Sequence, residues 1–318
     1  MYTLLVFILF AVGLVLIIKG GDYFVDASVW IAKVSGIPQF IIGATIVSIA
    51  TTMPELIVSL MAALDGKVDM AIGNAVGSVT ANSGIILALS VIIAPFAIRS
   101  KDYILKTFLL ILSILSLYIF SLTGKLSPIG CIILAVILII FVYENLKSAK
   151  SAKSVNSDEV KKSVSKKEIY TNIGKFIFGC AGIIIGARLL VDNGTVIAQI
   201  LHVPDSIISV TMIAIGTSLP ELITAITALR KKQGALSAGN IVGANIIDTT
   251  LILPVCSLAA GKPLTISAQS LKFDLPVCLI VNALIFIPTL MKSKFSRFQG
   301  VLIIAVYAAY IAAIVFFA

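Results

Sequence analysis

Two glutamates stand inside apolar stretches long enough to span a bilayer, each directly after a proline. The first closes Thr51-Thr52-Met53-Pro54-Glu55; the second, 166 residues on (221 − 55), closes Thr217-Ser218-Leu219-Pro220-Glu221. A carboxylate in such surroundings is costly and marks an ion pathway or a bound charge. Its return at a matching place in a second half reads as a cation site built by an internal repeat. The same shift carries Val25-Asp26 onto Val191-Asp192, Pro38 onto Pro204, Gly73-Asn74 onto Gly239-Asn240 and Val76-Gly77 onto Val242-Gly243. The duplication runs ungapped from about Gly20 to Ile93, a strong repeat signal.

Composition fixes the solvent. The 318 residues are 59% hydrophobic and 12% charged, with a mean hydropathy of +1.12, where soluble domains carry about 25% charged residues. The apolar runs are continuous, as in Ile104–Phe120, and not the alternating ten-residue segments of a barrel, so the fold class is an all-α polytopic membrane protein. The net charge of +9 reflects loops kept on the cytoplasmic side and not a nucleic-acid partner. Cys131, Cys180, Cys256 and Cys278 lie scattered in apolar runs without CxxC spacing and read as buried apolar residues. His202, the one histidine, sits in a polar turn. The N-terminal run Leu4–Ile18 lacks a basic n-region and a cleavage site, so it reads as a helix and not a signal peptide.

Apolar runs predict five helices per half: 3–26, 38–64, 70–93, 103–121 and 127–146, then 170–192, 204–229, 236–258, 269–290 and 298–317. The halves are residues 1–146 and 170–318, joined by a polar, basic stretch at 147–169 expected to be a solvated, flexible linker. Five is odd, so the halves enter the membrane from opposite sides, giving ten transmembrane helices as two inverted-topology repeats. One alternating set of loops holds Lys33; Arg99, Lys101 and Lys106; the linker; Arg230, Lys231 and Lys232; and Lys292, Lys294 and Arg297. The other holds only Lys67, Lys125, Lys262 and Lys272. The basic set faces the cytoplasm, which places the protein in the cell membrane with both termini extracellular and the linker cytoplasmic.

Of fifteen acidic residues, only Glu55, Glu221 and Asp248 fall away from loops and helix ends. Asp248 corresponds to Asn82 under the repeat shift. Proline removes a backbone donor and clashes four residues back, so each helix is expected to break just before Pro54 and Pro220, freeing carbonyls as cation ligands. Ser48, Thr52 and Glu55 share one helical face, as do Ala214, Ser218 and Glu221, with Thr51 and Thr217 adjacent. The next helices carry Asn74, Ser78 and Asn82, and Asn240, Ala244 and Asp248. Gly73, Gly77, Gly239 and Gly243 permit close helix approach. Only Lys19 and Arg188 offer basic partners for the glutamates, and both sit near helix ends. Every ligand is an oxygen, which suits Ca²⁺, Na⁺, H⁺ or Mg²⁺ and argues against Zn²⁺ or Cu⁺.

At these residues the chain resembles a known family. Gly216–Glu221 followed by Gly239–Asn245 is similar to the second α-repeat of the sodium/calcium exchanger family, within the calcium:cation antiporter superfamily, and Ala50–Glu55 with Gly73–Asn82 is similar to the first. The compact prokaryotic members are the best match. The resemblance implies four ion sites at the membrane centre. Glu55 and Glu221 would bind Ca²⁺ with the Thr51 and Thr217 carbonyls, flanked by Asn82 and Asp248. Na⁺ would sit with Ser48, Thr52 and Ser78 on one side, and with Ala214, Ser218 and residue 244 on the other. Three positions depart from the family pattern: Ala244 lacks the expected hydroxyl, Thr52 replaces serine, and Ala50 replaces glycine. The coupling ion therefore stays open between Na⁺ and H⁺.

The expected activity is electrochemically driven antiport, exporting Ca²⁺ against Na⁺ by alternating access, with no prosthetic group and no enzymatic reaction. The substrates are inorganic cations, and a chain that encloses its site with its own halves is expected to act as a monomer in the bilayer. The first helix of each half is, by the same resemblance, the candidate sliding element. A Ca²⁺/H⁺ antiporter is the alternative, with the buried glutamates carrying protons. A passive cation channel is a different class, disfavoured because channels usually build ring symmetry across subunits. An intramembrane hydrolase has no supporting His–Ser pairing or HExxH motif.

Overall fold

A computed structural model describes residues 2–97, 100–155, 165–201 and 216–317. The described residues form helices and no strands: α1 (Tyr2–Ser35), α2 (Gln39–Thr51), α3 (Met53–Leu64), α4 (Val68–Ile93), α5 (Ser100–Ile119), α6 (Pro128–Val155), α7 (Lys166–Ile200), α8 (Leu219–Arg230), α9 (Gly234–Ala259), α10 (Ser270–Lys292) and α11 (Arg297–Phe317). Seven of them, α1, α4, α6, α7, α9, α10 and α11, are long and apolar enough to cross a bilayer; the bent pair α2–α3 makes eight if taken as one span. Within α5, Tyr103–Ile119 is apolar but shorter. The onset expected for the helix at 204–229 lies outside the described residues.

Burial sorts these helices into layers. The apolar window of α4 is 72% buried and that of α9 is 78%, against 28% for α1, α6 and α7 and 17% for α11. The first two form the centre. The outer helices turn side chains such as Leu4, Ile139, Phe178 and Phe298 outward, as lipid contact requires.

Glycine decides how close the central helices come. A Cβ on Gly243 would lie 2.5 Å from Ser48 Oγ and 2.8 Å from Ala44 O, while one on Gly239 would collide with the Phe40 carbonyl. Helices α2 and α9 therefore touch backbone to backbone. A second such seam joins α1 to α7: Gly13 meets Gly186 and Gly20 meets Gly179, with a Cβ on Gly20 only 2.8 Å from Gly179 O. Positions that rise along one helix fall along the other, so the pair is antiparallel.

Two breaks match. Between α2 and α3 the chain bends by 45° at Thr52, with φ −84° and ψ −3°; Ser218, directly before α8, has φ −86° and ψ 2°. Pro54 has no N–H to offer the Ala50 carbonyl, which instead faces the Cys180 thiol at 3.9 Å. The break expected before Pro54 is thus present; Ser218 shares the backbone geometry of Thr52, and the helix expected to lead into it lies outside the described residues.

Several helix ends differ from the sequence expectation. The first helix runs nine residues past 26, α6 continues to Val155, and α7 spans Lys166–Ile200 where 170–192 was expected. Polar residues near these ends have partners elsewhere in the chain. Lys231 Nζ meets Asp26 Oδ1 at 2.6 Å and Asp22 Oδ1 at 3.3 Å. Trp30 Nε1 donates to Glu168 Oε1 at 2.9 Å. Ser165 caps α7 by accepting from the Glu168 N–H at 3.1 Å. Lys106, counted among loop charges, is instead buried in α5 with Nζ 5.9 Å from the Phe40 ring centroid.

Candidate cation site

The break at Thr52 starts α3 at Met53 and puts Glu55 in its first turn; the break at Ser218 does the same for Glu221 in α8. Both side chains are buried, at 1% exposure each, and Asp248 on α9 is at 0%. In a membrane protein such burial means enclosure by protein and not lipid contact. Glu55 and Glu221 have no ion pair among the described residues. Arg188 pairs with Asp192 on an exposed stretch of α7 at 3.7 Å.

The turn that Asp248 opens packs against α3, the helix of Glu55. The oxygens of the three acids are largely unused: both of Glu55, both of Asp248 and Oε2 of Glu221 are buried without a hydrogen-bond partner. The Ser218 hydroxyl and Asn82 Oδ1 are likewise unpartnered. Buried polar atoms are nearly always paired, and a buried unpaired carboxylate costs several kcal/mol, on the order of a whole interaction network. Such a cluster is stabilised by a cation among its oxygens or by taking up protons. Among the described residues, however, no three His, Cys, Asp or Glu side chains are grouped to hold a metal ion by themselves. A cation here would rest on hydroxyl, amide and carbonyl oxygens as well as carboxylates, as hard cations accept.

Contacts cross between the halves. Thr52 Oγ1 donates over a long 3.5 Å to Glu221 Oε1. Thr51 Oγ1 donates to Asn240 Oδ1 at 3.2 Å, and Thr217 Oγ1 to Asn74 Oδ1 at 3.3 Å. The last two bonds exchange under the 166-residue shift, so each half steadies the threonine of the other. Asn74 also donates to the Glu55 carbonyl at 3.3 Å and to Ser59 Oγ at 2.9 Å. Asn74 and Asn240 were visible in sequence only as part of a helix face; their role in steadying the breaks was not.

Of the remaining sequence candidates, Ser48 is buried against Gly243 and donates to the Thr45 carbonyl at 3.1 Å. Ser78 is buried one turn before Asn82. Ala214 and His202 lie outside the described residues. Asn82 and Asp248 each open a π-helical turn, Asn82–Leu87 in α4 and Asp248–Ile252 in α9. Such turns are frequent at functional sites, and here they fall on repeat-matched residues.

The sequence profile described as sodium/calcium exchanger protein matches this chain over residues 5–147 and 171–316. The chain belongs to the sodium/calcium exchanger family. The sodium/calcium exchanger MaX1 of Methanosarcina acetivorans is 29% identical over 352 residues, covering 96% of this chain and 97% of that one. An uncharacterized membrane protein of Methanocaldococcus jannaschii, MJ0091, is 32% identical over 305 residues, covering 96% of each. Among solved structures, the sodium-calcium exchanger NCX_Mj soaked with Na⁺ and Sr²⁺ superposes with a TM-score of 0.83 at 29% identity, covering 98% of this chain and 99% of that one. Sodium/calcium exchangers are a family of transporters and not of enzymes, and the all-helical membrane fold seen here is theirs.

Proposed function

We propose that this exchanger exports Ca²⁺ in return for Na⁺ by alternating access, with Ca²⁺ held between Glu55 and Glu221. One observation carries the reading. Two glutamates from opposite halves are enclosed by protein with oxygens unpartnered, and a hydroxyl of one half reaches the carboxylate of the other. The Thr51 and Thr217 carbonyls complete the Ca²⁺ shell, with Asn82 and Asp248 flanking it. Ser48, Thr52 and Ser78 form one Na⁺ site; Ala214 and Ser218 form the other. No prosthetic group takes part.

Coupling follows from charge. Three ionised carboxylates enclosed without cations resist occlusion, because a buried unpaired charge costs several kcal/mol. Ca²⁺ or a set of Na⁺ ions removes that penalty, so only loaded states cross. This architecture has ten spans in two inverted halves, 1–146 and 170–318, flanking the cytoplasmic stretch 147–169, with both termini outside and one chain sufficing. The exchanged Thr51–Asn240 and Thr217–Asn74 bonds and the antiparallel packing of α1 against α7 support the inversion.

A second reading, Ca²⁺/H⁺ antiport, is favoured by Ala244, which brings no hydroxyl to a Na⁺ position. The test is ⁴⁵Ca²⁺ uptake into proteoliposomes under an imposed Na⁺ gradient and then under a pH gradient alone. Uptake in the first only supports Na⁺ coupling; uptake in the second only assigns the proton. Flux with neither gradient would make the protein a passive pore.

A further inference from the structure

A buried chain of amides leads from α10, outside the duplicated motifs, to the site. Asn282, Asn245 and Ser83 are at 0% exposure and Asn82 at 1%. Asn282 Nδ2 donates to the Cys278 carbonyl at 2.8 Å and lies 3.8 Å from the Cys278 thiol. A backbone carbonyl can only accept, so this bond fixes which end of the Asn282 amide is which. Its Oδ1 then accepts from Ser83 Oγ at 2.8 Å and from Asn245 Nδ2 at 3.3 Å. Asn245 Nδ2 also donates to Ser83 Oγ at 2.9 Å. The amino end of Asn245 is thereby committed, and its Oδ1 accepts from Asn82 Nδ2 at 3.0 Å. Asn82 has spent its amino group, and its Oδ1 remains buried without a partner. The turn that Asn82 opens packs against α8, the helix of Glu221.

Turning any one amide would set oxygen against oxygen or nitrogen against nitrogen further along. We infer that Asn282 is a positioning residue: its amide orients Asn245, and through it obliges Asn82 to offer the cation a carbonyl oxygen and not an amino group. The inference rests on the cation-site reading above. Without the anchor, Asn82 can present either end, and half of its orientations repel a cation.

The test is equilibrium ⁴⁵Ca²⁺ binding to the purified full-length protein in detergent. Asn282→Leu should weaken binding about tenfold or more, as loss of an outer-shell partner does at metal sites. Adding Asn82→Asp should restore most of that loss, since a carboxylate shows oxygen whichever way it turns and the released Asn245 can turn its amino group to meet it. Unchanged binding in Asn282→Leu overturns the proposal, and so does a double variant that stays as weak as the single one, because a packing defect at α10 would not be mended at residue 82. If Asn282→Leu does not purify as a monodisperse protein, Asn282→Ala cuts the same relay without adding bulk to the core. It should weaken binding in the same direction and recover with Asn82→Asp; an Asn282→Ala protein that binds normally, or does not recover, overturns the relay. Glu55→Gln separates the two readings. If it binds Ca²⁺ normally the site itself is misassigned; if it loses binding while Asn282→Leu does not, only the relay fails.

Discussion

At the scale of single residues, the site is defined by carboxylates that the protein leaves unpaired. Replacing Glu55 or Glu221 with glutamine removes a charged ligand from an enclosed position, where losing one partner of a charge pair costs about 2–5 kcal/mol, or ~30-fold or more in affinity. Either variant should lose Ca²⁺ exchange in proteoliposomes while keeping its helical circular dichroism. Ca²⁺ should raise the Tm of the parent protein by mass action and leave that of the variants unmoved. Of the three positions read as departing from the family pattern, Ala244 is the one that removes a hydroxyl. Ala244→Ser returns a hydroxyl, worth about 0.5–1.5 kcal/mol where it is desolvated, and should lower the Na⁺ concentration for half-maximal exchange severalfold. No change would move the second Na⁺ position away from residue 244. The two glutamates and Asp248 were legible because charge is conspicuous in an apolar run. Asn282 was not: it lies beyond the ungapped duplicated run, and nothing in the composition of α10 distinguishes an amide that anchors a relay from one that merely packs.

At the scale of elements, the α2–α9 contact is made by glycine. Gly239→Ala sets a methyl against the Phe40 backbone, and overpacking of this kind costs about 1–3 kcal/mol. By contrast Gly174, on α7, meets no described atom within 4 Å, so Gly174→Ala should be nearly neutral. Thermal unfolding of the two variants in detergent measures the contrast, and equal losses would contradict it. The helix breaks were readable from Pro54 and Pro220, because a missing N–H has a fixed structural consequence. The π-helical turns at Asn82 and Asp248 were not, since no residue type demands one. The overlong α1 and α7 escaped for a related reason. Asp26 and Glu168 lie at the margins of the apolar runs, and their partners, Lys231 just after α8 and Trp30 on α1, are not visible in the sequence.

At the scale of the whole molecule, connecting loops also pair across the halves. Ala97 bridges to Lys294, and Lys125 to Thr265, so the two parts of the chain are tied beyond the site as well as at it. The proposed orientation makes a simple prediction. A cysteine introduced at Lys150 should react with a membrane-impermeant maleimide only from the cytoplasmic side, and one at Lys262 only from outside; the reverse pattern would invert the transport direction. The matched position 82/248 holds an amide in one half and a carboxylate in the other. Two identical half-length subunits closing around a twofold axis could offer only an even number of negative charges, two or four. A single continuous chain escapes that parity rule, and the buried acids here, Glu55, Glu221 and Asp248, number three.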